Sequence, residues 1–125
     1  MTMEIIKNYL LSKPEAKIDT PFGEDVTVFK VRNKMFATLS IGKAGNGENQ
    51  DWWVNLKCDP DEALALRDIF DAVIPGYHMN KRLWNTVILN GSIPQGEIER
   101  MMDNSYMLVV NNMPTKDREA IELQL

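Results

Sequence analysis

The chain has 125 residues, 44% hydrophobic and 26% charged, with a formal net charge of −4. That length suits one domain, residues 1–125, with a core of its own and is short for two. No apolar run is long enough for a transmembrane helix. The opening Met1-Thr2-Met3-Glu4-Ile5-Ile6-Lys7 lacks the basic-then-apolar order of a signal peptide. The lone cysteine, Cys58, cannot close an internal disulfide, so a reducing, cytoplasmic setting is expected. An acidic balance also counts against a dedicated nucleic-acid binder unless folding gathers the cations on one face.

Along the chain, Ile5, Ile6, Tyr9 and Leu10 recur at helical spacing, and Pro14 ends that helix. Ala16 to Thr20 is a short segment, and Pro21-Phe22-Gly23 then reads as a turn. Val26 to Val31 is rich in β-branched and aromatic residues. Lys34 to Ile41 alternates, which predicts Met35, Ala37, Leu39 and Ile41 on one face and Phe36, Thr38 and Ser40 on the other. Arg32-Asn33 between them suits a tight hairpin, since Asn tolerates positive φ. Gly42-Lys43-Ala44-Gly45-Asn46-Gly47 reads as a mobile loop; without a Gly-Lys-Ser/Thr ending it is no phosphate cradle.

Trp52 to Lys57 is the third clear strand, and its adjacent tryptophans must point to opposite faces. One indole enters the core. The other meets the open face as a partner anchor or is covered by the glycine loop. A helix follows with Asp59 as N-cap, Pro60 at its first position and Ala63, Leu66 and Phe70 as its buried stripe. Ile74-Pro75-Gly76 begins a turn that leads into a strand from Asn85 to Asn90, ended by Gly91. Ser92 and Gln95 have capping-box spacing ahead of a long helix whose inward face is Ile98, Met101, Met102, Ser105, Leu108 and Val109. Pro114 breaks it, and a short helix from about Thr115 carries Ala120, Ile121 and Leu125. Hairpin-grouped strands among a few helices argue for an α+β fold, an antiparallel sheet with helices packed on one face and the other face open.

The run Pro75-Gly76-Tyr77-His78-Met79-Asn80-Lys81, with Trp84-Asn85-Thr86-Val87 after it, resembles the signature of the MmcQ/YjbR family of small bacterial proteins. Pro21-Phe22-Gly23 before two β-runs and Ser105-Tyr106 inside the long helix match the same layout, so the resemblance covers nearly the whole chain. It implies a CyaY-like two-layer sandwich and DNA binding through paired β-hairpin wings. It brings no catalytic residues and no cofactor.

Two segments without carboxylates carry the candidate binding residues. From Val26 to Gly47 the cations are Lys30, Arg32, Lys34 and Lys43; from Val73 to Gly96 they are Lys81 and Arg82. If these share a face, the chain is a non-enzymatic module that binds DNA weakly, without sequence preference and with strong salt dependence. The plainer reading is that hairpin lysines serve solubility and block edge aggregation. Tyr77, His78, Asn80 and Trp84 form a second group, suited to a protein partner or small ligand on the open face. They can equally form a rigid turn whose Tyr and Trp finish the core. Cys58 and His78 lie in no nucleophile motif, and Cys58 reads as buried. The acids Asp59, Asp61, Glu62, Asp68 and Asp71 are explained by helix capping and solubility, and no His/Cys spacing points to a metal.

Overall fold

A hairpin organises the sheet. Strands β2 (Val26–Val31) and β3 (Lys34–Ile41) pair antiparallel across Arg32 and Asn33, whose φ values of 46° and 67° are those of a type I′ turn. The computed structural model describes residues 3–42 and 51–125. The chain order is α1 (Met3–Leu11), β1 (Ala16–Asp19), β2, β3, β4 (Trp52–Lys57), α2 (Pro60–Ile69), β5 (Val73–Pro75), β6 (Trp84–Ile88), α3 (Gln95–Asn111) and α4 (Thr115–Glu122). The strands make one sheet in the order β1-β2-β3-β4-β6-β5, with every neighbouring pair antiparallel.

One face of that sheet is buried under all four helices. Ile6 and Leu10 of α1, Ala63 and Leu66 of α2, Ile98 to Val110 of α3 and Ile121 of α4 join Phe29, Val31, Ala37, Leu39, Val54, Leu56 and Val87 in a single core. The α+β reading, with helices on one face, is therefore correct. Asp59 caps α2 as its sequence predicts, accepting bonds from the amides of Asp61 at 3.1 Å and Glu62 at 3.3 Å. Trp52 packs against this core, while Trp53 points to the opposite face.

The structure changes several expectations. Phe36 does not alternate away from Ala37. The register runs Phe29↔Ala37 and then Lys30↔Met35, so Phe36 is the extra residue of a β-bulge and turns inward with Ala37. There it meets Tyr106 edge-to-face at 5.2 Å. Residues 16–19, read only as a short segment, form an edge strand, and Val73–Pro75 is a strand rather than the start of a turn. Ser92 does not cap α3: its hydroxyl bonds Asn90 Oδ1 at 2.6 Å, and Pro94 is the N-cap residue, leaving no side-chain cap. Leu125 stands 64% exposed instead of packing. Lys43 and its glycine loop lie outside the described residues.

The bulge has a chemical partner. The β3–β4 ladder ends at Ala37↔Leu56, and beside it the Ser105 hydroxyl is inserted from α3. Ser105 Oγ accepts from the Lys57 amide at 2.8 Å and donates to the Phe36 carbonyl at 2.5 Å. Ser105 is fully buried, so both backbone groups depend on it. Ser105→Ala strands a buried donor and a buried acceptor, each worth about 1–3 kcal/mol, so urea denaturation should show a loss of about 2 kcal/mol or more. Asp59→Ala, at an exposed cap, should cost about 1 kcal/mol in the same assay.

Candidate functional site

The open face is built on three neighbouring strands. Register places Thr38, Asn55 and Thr86 in one row across β3, β4 and β6, with Ser40, Trp53 and Ile88 in the next row. Over β6 folds the connection of residues 76–83, held by its own polar groups. The Gly76 amide donates to the Trp84 carbonyl at 2.9 Å, and a Cβ at Gly76 would lie 2.8 Å from Trp84 Cβ, so this close approach requires glycine. The Asn80 carbonyl accepts from the amides of Leu83 and Trp84, and Asn80 Oδ1 accepts from the Arg82 amide at 3.0 Å. From α2, Arg67 reaches the same loop: Nε donates to Asn85 Oδ1 at 2.7 Å, and a terminal nitrogen donates to the Lys81 carbonyl.

This scaffold presents three rings. Trp53 and Tyr77 meet edge-to-face with centroids 5.5 Å apart, and Tyr77 and His78 lie 4.1 Å apart. His78 sits at φ 58°, in the left-handed region, which histidine enters more readily than most residues and which Glu15, Arg32 and Asn33 also adopt. Tyr77 is 42% exposed and His78 is exposed, whereas Trp84 is buried beneath the loop. A Cβ on Gly42 would fall 2.0 Å from the Trp53 ring, so the indole lies against bare backbone. The Tyr77–Trp84 segment thus divides its labour: Trp84 and Asn80 support, Tyr77 and His78 display.

A directed hydrogen-bond chain runs beneath the rings. The Tyr77 amide donates to Thr86 Oγ1 at 2.9 Å, and the Thr86 hydroxyl donates to Asn55 Oδ1. That orients the Asn55 amide, whose Nδ2 donates to Thr38 Oγ1 at 3.0 Å. Tyr77 is therefore tied to the centre of the sheet by its backbone, not its ring.

Of the five candidate cations among the described residues, two are already paired with acids. Lys30 is paired with Asp19 at 3.0 Å. Arg32 grips Glu15 through two bonds of 2.9 and 3.1 Å and also reaches Asp117 of α4 at 2.9 Å. The hairpin tip is thus docked against its own acids. The Arg32 hydrogen bonds hold the Glu15 carboxyl below the usual carboxylate range, and the Lys30 bond does the same to Asp19. Lys34 and Arg82 are exposed and make no ion pair among the described residues. Lys81 Nζ bonds the Gly76 carbonyl at 3.2 Å, beside Tyr77. Since β3 begins where β4 ends and β6 begins, Lys34, Lys81 and Arg82 share one end of the sheet.

Other titratable groups serve the scaffold. Cys58 is buried at the end of β4, where desolvation, with Glu62 and Asp59 nearby, pushes its thiol up to about 11. It lies in the core while His78 stands exposed on the opposite side, and no bond joins them. Of the α2 acids, Asp59 caps the helix and Glu62 binds Arg100 of α3 at 2.6 Å. The sequence reading missed Thr38, Asn55, Thr86 and Arg67 as parts of the site. Polar residues inside otherwise apolar strands were the available signal for the first three.

The family model described as YjbR matches residues 11–108. The chain is 33% identical to the uncharacterized protein YjbR of Escherichia coli K12 over 121 residues, 97% of this chain and 98% of that one. It is 31% identical to the uncharacterized protein YbdF of Escherichia coli O157:H7, over 94% of this chain and 92% of that one. Among solved structures, the Deinococcus radiodurans protein DR2400 superposes with a TM-score of 0.84 at 27% identity, covering 97% of this chain and 88% of that one. A Pseudomonas syringae protein gives 0.76 at 32% identity, covering 86% and 98%.

Two outcomes follow from the contacts. Because the folded Glu15 pKa is depressed, its pairing stabilises the protein above the ordinary glutamate range and is lost as pH falls through the lowered value. Thermal melts of wild type and Glu15→Gln should accordingly differ at neutral pH and converge in acid. Arg67→Ala removes the tie between α2 and residues 81–84, and amide exchange there should quicken by about tenfold or more, as expected for losing charged hydrogen bonds.

Proposed function

The chain belongs to the YjbR family, and we propose that it works by non-covalent binding on the open face of its sheet, around Trp53, Tyr77 and His78. The observation that carries this reading is His78. A non-glycine residue is kept in a left-handed backbone conformation, on a loop fastened from three sides, with its ring against an exposed tyrosine. Strained, over-determined positions of this kind cluster at functional sites. The arrangement also suits a receiving surface because the exposed Tyr77, beside the half-buried Trp53, offers ring area with few rotors to immobilise.

Binding of DNA through cations is a second reading, supported by one placement: Lys34, Lys81 and Arg82 lie at the same end of the sheet. Lys30 and Arg32 weaken it, being already partnered by acids. A cytoplasmic location fits a buried free thiol, and among the described residues no helix is long and apolar enough to cross a membrane.

The two readings separate experimentally. Small aromatic compounds and candidate partners should perturb the Trp53 indole and Tyr77 signals of labelled protein, and Tyr77→Ala should weaken that binding by about tenfold while leaving the melting temperature nearly unchanged. If no such perturbation is found, the open-face reading fails. Duplex DNA binding at low salt that is abolished by Lys34→Glu with Arg82→Glu, and indifferent to Tyr77→Ala, would favour the second reading instead.

A further inference from the structure

We propose that β1 is a docking edge for a second copy of this chain, the two β1 strands pairing antiparallel about a two-fold axis at Ile18. This concerns a different part of the molecule from the open-face reading and stands apart from it.

The edge is defined by which backbone groups point outward. The type I′ turn makes Val31 and Lys34 a hydrogen-bonded pair, so the backbone groups of Val31 face β3. Successive residues of a strand alternate, so those of Lys30 and Val28 face β1. Lys17↔Lys30 and Asp19↔Val28 are then the hydrogen-bonded pairs of β1 with β2, and Ala16, Ile18 and Thr20 turn their amides outward. Two of those three are satisfied locally. The Ala16 amide donates to the Lys13 carbonyl at 3.1 Å, and the Thr20 amide to Asp19 Oδ1 at 2.8 Å. What is left unpaired among the described residues is the Ile18 N–H, with the Ile18 carbonyl beside it.

The opposite edge is closed. Ala72 and Gly76 bond β6, so Val73 and Pro75 face outward on β5; the Val73 amide donates to the Phe70 carbonyl at 3.0 Å, and proline has no N–H. Among the described residues the sheet therefore keeps a pairing position at Ile18 and none along β5.

Charge selects a second copy as the occupant. Pairing about Ile18 sets Lys17 opposite the partner's Asp19, and the two-fold axis repeats that contact. Within one copy Lys17 stands opposite Lys30, a like-charge pair, and makes no ion pair among the described residues. Asp19 accepts from Lys30 and from the Thr20 amide, yet its side chain is 53% exposed and keeps lone pairs for another ammonium. On the other side of the strand Ile18, 39% exposed, meets its counterpart. An open groove of about 450 Å³, bordered by Glu15, Lys17, Asp19, Lys30 and Arg32, runs beside the edge and gives incoming side chains room. The axis is perpendicular to the sheet, so both helical layers lie on one side and both open faces on the other.

Sedimentation equilibrium of the full chain over a concentration series at low salt tests this. Wild type should show a reversible monomer–dimer equilibrium, and exchange of the Ile18 amide should slow as concentration rises. Ile18→Pro removes the outward N–H where an edge strand tolerates proline, and should weaken association about tenfold or more with the circular dichroism unchanged. Lys17→Asp and Asp19→Lys should each weaken it by about tenfold, because two like-charge pairs replace two opposite ones. Asp19→Lys also gives up its contact with Lys30, so the decisive sample is an equimolar mixture of the two variants. An all-acidic strand then faces an all-basic one, and dimers should return. A wild type that stays monomeric, with Ile18 exchange independent of concentration, overturns the proposal. So does dimer formation indifferent to Ile18→Pro, or a mixture that fails to associate while each variant melts as a folded protein. If a variant does not fold, the exchange measurement on wild type decides.

Discussion

A single serine hydroxyl holds the sheet to its principal helix. Ser105 stands where the β3–β4 ladder stops, satisfying the Lys57 amide on one strand and the Phe36 carbonyl on the other. The β-bulge at Phe36 creates that need, because an extra residue on one strand disrupts the cross-strand pairing. The same bulge turns Phe36 inward, where it meets Tyr106 one residue along from Ser105. One irregularity in the strand therefore yields both a polar and an aromatic contact with α3, and fixes the register of the helix over the sheet. The Tyr106 hydroxyl continues the connection by donating to the Pro14 carbonyl at 2.7 Å, which ties the turn between α1 and β1 to the same helix.

One-sided packing follows and defines what is left for function. With four helices on one face, alternation sends Thr38, Trp53, Asn55, Thr86 and Trp84 to the other. A purely apolar outer face would invite non-specific association. Here the centre is a chain of side-chain hydrogen bonds, and the apolar surface is concentrated in a ring cluster bordered by Lys81 and Arg82. The loop that carries the rings is fixed by Gly76 against Trp84, by the Tyr77 amide on Thr86 and by Arg67 from α2. Such support lets a residue like His78 persist in an unfavourable backbone conformation.

Electrostatics distributes the roles. In a molecule of net charge −4, most cations near acids are spent on structure: Arg32 joins the hairpin tip to Glu15 and α4, Lys30 holds Asp19 of the edge strand, and Arg100 joins α3 to α2. These pairs are partly exposed and each is worth little alone. Their effect is positional, since they determine which basic side chains remain available. Among the described cations without an acid partner, Lys34, Lys81 and Arg82 lie at one end of the sheet, Lys34 in the hairpin and the other two in the aromatic loop.

The sequence by itself determined the α+β class, the Arg32-Asn33 hairpin, the Asp59 cap and the division between Trp52 and Trp53, because each rests on local backbone preference or strict alternation. The Pro75–Lys81 motif was also legible and sits at the candidate site. Tertiary structure alone decided the rest. The bulge at Phe36 depends on a hydroxyl sixty-nine residues away, which no local pattern encodes. Arg32 and Lys30 read as free cations in a carboxylate-free segment, yet their partners Glu15, Asp19 and Asp117 come from other parts of the chain. Whether a charge is available or neutralised is a property of neighbours in space, and a linear sequence specifies those neighbours only through the fold.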